Sequence, residues 1–136
     1  MYTYRPIPRG SVKNSIFVEL RDAATPFLPK TGFAFNSAGI LLSYAKKRAA
    51  RVAITPVTLA AITTAWTSGG VREVDAANMP GVYRLDIPDA AFTDDGASDE
   101  VIVTVVATGY ETKNIRIPLI DKADVYISPG TTRTNS

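Results

Sequence analysis

The sequence predicts an all-β domain built as a β-sandwich. Val, Ile and Thr number 12, 11 and 15, so 38 of 136 residues are β-branched, and such side chains suit a pleated, half-buried surface. Nine glycines and nine prolines punctuate the chain, as short strands joined by turns require. Reading along the chain gives about seven short strands with turn signals every 8–12 residues, in a block of roughly 105 residues, which is the arithmetic of a sandwich.

Residues 1–14 read as an N-terminal arm. Tyr2, Tyr4, Arg5, Pro6, Pro8, Arg9 and Gly10 show neither strand nor helix period, and prolines at alternate positions favour extended chain outside a central strand. Tyr and Arg are also the side chains most enriched at interface anchors. On this reading the arm makes contacts, and its removal leaves the domain folded.

The domain begins near Ser15. Ile16, Val18 and Leu20 alternate with Phe17, Glu19 and Arg21, a half-buried strand. Asp22 to Gly32 holds Pro26, Pro29 and Gly32 and reads as a loop. Phe33 and Phe35 suggest a short edge strand, and Asn36 to Gly39 a turn. Ile40, Leu42 and Tyr44 share one face of the next strand. A basic stretch follows at Lys46, Lys47, Arg48 and Arg51, read as a solvated hairpin end, with docking onto an acidic partner as the alternative. Val52 to Ile54 and Val57 to Leu59 bracket Pro56, the mark of an edge strand or bulge. Ala60 to Trp66 fits a short helix or a strand, and Trp66 is expected to fill the core.

Ser68-Gly69-Gly70 signals a hairpin before a strand over Val71 to Asp75. Asn78-Met79-Pro80-Gly81 has the form of a type II turn, with Pro presetting φ and Gly accepting a positive one. Tyr83, Leu85 and Ile87 form the inner face of the next strand, which Pro88 stops. Asp89 to Phe92 is one helical turn with Phe92 plugging the core. Glu100 to Thr108 is almost continuously apolar and predicts a central strand covered on both faces. Ile115, Ile117 and Leu119 mark the last strand, with Pro118 at its edge or end. Residues 121–136 read as a C-terminal arm, in which Val125 to Ile127 could add to another sheet edge. The expected division is therefore an arm over 1–14, a domain over 15–120 and an arm over 121–136.

Composition removes whole classes of chemistry. With no Cys there is no disulfide framework, thiol nucleophile or cysteine zinc site, and with no His every triad that needs imidazole is excluded. The net charge of +2 is small for this length, so the pI near 9.0 is no nucleic-acid footprint. The basic stretch has no interleaved aromatics. Neither a secretory signal's apolar core nor a membrane-spanning run is present. Ser43-Tyr44-Ala45-Lys46 and Lys30-Thr31-Gly32 match two serine acyl-enzyme motifs, but in reversed order, and Ser43 and Lys46 fall at opposite parity on a strand. Asp94, Asp95, Asp99 and Glu100 crowd one loop, with Asp86 and Asp89 nearby. Their spacing fits no EF-hand, and they read as a solvated acidic loop. The expectation is a protein that is no enzyme, with no cofactor and no metal, and with no nucleic-acid or membrane partner.

The run from Trp66 to Ala90 resembles a pattern in structural proteins of tailed bacteriophages. There a Gly-Gly pair precedes a strand ending in Asp-Ala, then Asn-Met-Pro-Gly, then a tyrosine strand closing in Leu-Asp-Pro-Asp-Ala. Here these are Gly69-Gly70, Asp75-Ala76, Asn78 to Gly81, and Tyr83 to Ala90. Lys30-Thr31-Gly32-Phe33-Ala34-Phe35-Asn36 is similar to the same proteins' Lys-Thr-Gly-Leu-Ala-Tyr-Asn. The resemblance spans residues 15–120. It departs at Ala107 to Asn114, where those proteins carry Gly-Ala-Thr-Asn.

The resemblance implies a virion component with an immunoglobulin-like β domain. The expected role is a capsid decoration, or cement, protein at the capsid surface, bound to the major capsid protein and assembled as a small homo-oligomer. Tyr2, Tyr4, Arg5 and Arg9 are the expected contacts, with Tyr126 and Arg133 in the C-terminal arm. The alternative within the class is a tail, collar or baseplate component that anchors a fibre. The alternative of another class, a carbohydrate-binding module, requires exposed aromatics on one sheet face, for which Phe17 and Tyr110 are the candidates.

Overall fold

A computed structural model describes residues 1–121. Ten strands and one short 3₁₀ helix form two sheets. The strands are β1 (Tyr2–Thr3), β2 (Ile7–Pro8), β3 (Ser15–Glu19), β4 (Leu41–Lys46), β5 (Val52–Ile54), β6 (Val57–Thr58), β7 (Gly70–Asp75), β8 (Met79–Asp86), β9 (Glu100–Val106) and β10 (Lys113–Ile120), with the 3₁₀ turn at Asp89–Phe92. The larger sheet runs β1-β10-β9-β4-β5, with β2 also on β10; the smaller runs β3-β8-β7-β6.

The inner faces follow from period-two alternation. Ile16 and Val18 of β3 meet Tyr83 and Leu85 of β8, and these join Leu42, Tyr44, Val101, Val103, Val105, Ile115, Ile117 and Leu119 from the opposite sheet in one core. Phe92 closes an edge and is fully buried. The all-β two-sheet architecture expected from the sequence is therefore present.

Several local readings are corrected. Residues 1–14 do not stand away from the domain. Tyr2 lies beside Ile115 and Ile7 beside Leu119, both parallel to β10, and Ile7 is buried in the core. Removing residues 1–14 therefore takes sheet and core with it. The break between β1 and β2 has a chemical cause on both sides. The alternation of hydrogen bonds turns Arg116, Pro118 and Ile120 toward this edge, where Tyr4 N–H reaches Arg116 O (2.7 Å) and Arg9 N–H reaches Ile120 O (2.8 Å). Pro118 has no N–H to offer between them, and Pro6 faces the same gap.

Phe33 and Phe35 form no strand; Phe33 is instead a core plug. Pro56 marks a change of sheet, since β5 belongs to the larger sheet and β6 to the smaller. Ser68-Gly69-Gly70 is no hairpin, because β6 runs parallel to β7, pairing Val57 with Gly70. The turn between β7 and β8 falls over residues 76–78, beginning two residues before the expected one. The Asp75 carboxylate holds it, accepting from Ala77 N (3.1 Å), Asn78 N (3.0 Å) and Asn78 Nδ2 (2.9 Å). Pro80 and Gly81 lie within β8, where Gly81 keeps the positive φ of 82° beside an irregularity in the β7–β8 register. β9 is central but buried on one face, with Ile102, Thr104 and Val106 half-buried on the other. Ala60 to Trp66 is neither helix nor strand, and Trp66 lies half-buried outside the core, its indole N–H on Asn14 O (3.1 Å).

Tyr83 ties the 22–33 loop to the smaller sheet. Its hydroxyl donates to Lys30 O (2.7 Å) and accepts from Phe33 N (3.2 Å). These contacts join residues 30–33 to β8. Burial pushes the Tyr83 phenol above its ordinary pKa. A raised folded-state pKa gives stability that is complete below the unfolded value of about 10 and is lost as pH rises above it. Tyr83→Phe is expected to cost about 1–2 kcal/mol at neutral pH and to reduce the alkaline loss of stability. Urea denaturation across the alkaline range checks both; an unchanged alkaline profile would remove Tyr83 as its source.

Candidate docking flank

The N-terminal segment and β3 meet along one flank of the sandwich. Tyr2 and Tyr4 sit edge to face, with centroids 6.5 Å apart at 64°. The Arg5 guanidinium stands 5.9 Å from the Tyr4 ring centre, and Lys113 Nζ stands 5.5 Å from that of Tyr2. Cations over aromatic faces hold these rings without burying them. Tyr2 remains 51% exposed, whereas Tyr4 packs partly against the core.

Beside this cluster lies a groove of about 230 Å³ between the two sheets. Val18, Val82 and Ile115 contribute apolar side chains to it, Tyr2 and Phe17 contribute aromatics, and Glu19 and Lys113 contribute opposite charges. Phe17 is 64% exposed, because Ile16 and Val18 take the inward positions of β3 and leave Phe17 on the outer face.

The four expected contact residues within 1–121 therefore divide. Tyr2, Tyr4 and Arg5 form one cluster. Arg9 is used internally: its Nη1 donates to Asp121 (2.6 Å), its Nε donates to Ser98 O (3.0 Å), and its side chain is only 16% exposed. Tyr126 and Arg133, with the C-terminal arm beyond Asp121, lie outside the described residues. Sequence reasoning missed Lys113 as a partner of Tyr2 and missed Phe17 as part of the same flank. The alternation over Ser15 to Arg21 placed Phe17 outward, but no local pattern brings Tyr2 to it.

The charged loops neutralise each other. Lys46 Nζ lies 3.7 Å from Asp95, and Lys47 Nζ 3.5 Å from Asp99. The basic stretch thus faces the acidic loop of its own chain. Asp95 also folds that loop, accepting from Ser98 N (2.8 Å), Ala97 N (3.0 Å) and Ser98 Oγ (2.8 Å). Those bonds hold its carboxyl well below the ordinary range, so their stabilising contribution is lost as pH falls. Among the described residues no group of three or more metal-ligating side chains converges.

The aromatic pair required for sugar binding is not assembled. The Tyr110 ring packs on Phe33 (5.5 Å) and its hydroxyl donates to Thr31 O (2.8 Å), away from the groove that Phe17 lines. Comparison with protein-family models, curated proteins and solved structures finds no match.

Proposed function

We propose that this chain is a non-catalytic structural protein of a tailed-bacteriophage virion, a decoration protein that docks on the major capsid protein. The observation that carries the reading is the cluster of exposed Tyr2 and Arg5 with half-buried Tyr4 and Lys113, held by edge-to-face and cation–aromatic contacts on a sheet edge. Aromatic and arginine anchors fixed before binding lose little side-chain freedom when a partner covers them. The resemblance of residues 30–36 and 66–90 to phage structural proteins supports the same conclusion.

Within this proposal the domain is immunoglobulin-like. The order β10-β9-β4-β5 corresponds to strands G-F-C-C′ of a variable-type sheet, and β3-β8-β7 corresponds to B-E-D of the other. The inter-sheet disulfide of antibody domains has no counterpart, since the chain holds no Cys.

Tyr2→Ala and Arg5→Ala test the docking. Each is expected to leave the melting transition nearly unchanged and to weaken binding to particles lacking the protein by roughly tenfold or more, the scale of an interface anchor. Full occupancy by both variants would remove the cluster as the contact. Counting copies per purified particle then fixes the position. A number matching the coat protein's lattice places the chain on the shell, and a small symmetry-limited number places it at the tail, collar or baseplate. Absence from particles would reopen the carbohydrate-binding reading.

A further inference from the structure

Among the described residues the sheets end in four edges, and one differs from the rest. β1 and β6 are two residues long and β5 is three, whereas β3 runs five residues without proline, bulge or positive φ. Short or interrupted edges resist pairing with another chain, and a longer regular one invites it. β3 pairs with β8 through its even-numbered residues, as Ile87 N on Asn14 O (3.0 Å) and Leu20 N on Gly81 O (2.8 Å) fix the alternation. The N–H and C=O groups of Ser15, Phe17 and Glu19 therefore point away from β8, and among the described residues no strand pairs with them. All three residues are exposed. Just beyond, Glu111 N takes Arg21 O (2.9 Å), which ends the open edge.

We propose that a second copy of this chain occupies this edge, the two β3 strands pairing antiparallel about a two-fold axis at Phe17. Only open groups then meet. Phe17 pairs with Phe17 of the second copy, and Ser15 pairs with Glu19 in both directions, so each open N–H finds a carbonyl. The outer face brings the two Phe17 rings together as a cross-strand aromatic pair. No like charges stand opposite, since Ser15 faces Glu19, whose carboxylate is already paired with Arg21 of its own chain. The groove shared by Phe17 and Tyr2 places both copies' aromatic clusters at the joint. Two docking clusters then act together, and their linkage raises the affinity of either alone.

The 136-residue chain is expected to sediment at twice its 14.6 kDa mass. Phe17→Pro removes an outward N–H that the fold does not use, a placement proline tolerates on an edge strand. Phe17→Asp keeps the backbone and sets two carboxylates against each other. Both variants are expected to sediment as monomers with the wild-type far-ultraviolet circular dichroism, and Arg5→Ala as a dimer. A wild-type monomer at every concentration overturns the proposal, as does a dimer that survives both Phe17 variants. A monomer in which the Phe17 and Glu19 amides exchange slowly with solvent also overturns it, and assigns the edge to another part of the same chain.

Discussion

Asp86→Ala is expected to cost about 3–5 kcal/mol, the scale of breaking a buried ion pair from one side. Asp86 is fully buried on the outer face of β8, where a half-buried surface alone predicts exposure. The segment between β6 and β7 covers it. Arg84 grips both carboxylate oxygens, from Nε to Oδ1 at 2.9 Å and from Nη2 to Oδ2 at 2.8 Å. Ser15 Oγ donates to Oδ1 at 2.6 Å and Thr67 N to Oδ2 at 2.9 Å. Arg84 Nη1 then reaches over to the carbonyls of Ile62 and Thr64, both at 2.7 Å. One carboxylate and one guanidinium thus tie β3, β8 and the covering segment together. Without Asp86 the Arg84 side chain, only 11% exposed, keeps its charge and loses its counterion. Arg84→Ala with Asp86→Ala is expected to cost less than the sum of the single changes. Urea denaturation of the three variants measures this. A loss for Asp86→Ala below about 1 kcal/mol would mean that the pair behaves as a solvated surface bridge.

Gly69→Ala is expected to cost roughly 2–5 kcal/mol, the sum of a left-handed backbone carrying a Cβ and an overpacked contact. Gly69 has φ 81°, and a Cβ there would lie 2.0 Å from Thr55 O. That oxygen is backbone, so relief requires moving the sheet-changing segment around Pro56. Gly69 also donates to Asp86 O (2.9 Å) and accepts from Val57 N (3.0 Å), so the displacement passes into β8 and β6 of the smaller sheet. Gly96→Ala is the control. Its φ of 72° is similar but nothing lies within 4 Å of the added carbon, so only the conformational cost of about 1–2 kcal/mol applies. Equal losses at the two positions, read from their denaturation midpoints, would show that the Thr55 contact relaxes freely.

These two residues show where local reading stops. On sequence alone the Gly69-Gly70 pair signals a hairpin, and only its conformational freedom is used as expected. The glycine is instead required because Thr55, in the segment that leads from β5 into β6, lies against it. Asp86 falls between the inward Leu85 and Ile87, so alternation alone turns it outward, and that parity holds. Its burial depends on a covering segment whose irregular sequence carries no period. The docking flank divides in the same way. Residue type alone marks Tyr2, Tyr4 and Arg5, whereas Lys113 lies more than a hundred positions away and has no local mark of its role.

The sequence by itself determined the β class, the inward faces of β3, β8 and β10, the stop at Pro88 and the Phe92 plug. Each depends on side chains that alternate with period two or on a backbone limit within a few residues. Tertiary structure decided the rest. It placed Tyr2–Thr3 and Ile7–Pro8 beside β10, divided β5 and β6 between sheets, set β6 parallel to β7, and brought the basic stretch to the acidic loop. It also left β3 with an edge that no strand among the described residues pairs with. The physical reason is that strand pairing is a contact between distant segments, set by which backbone edges remain unpaired once the core closes, and alternation records only which side of a strand faces inward.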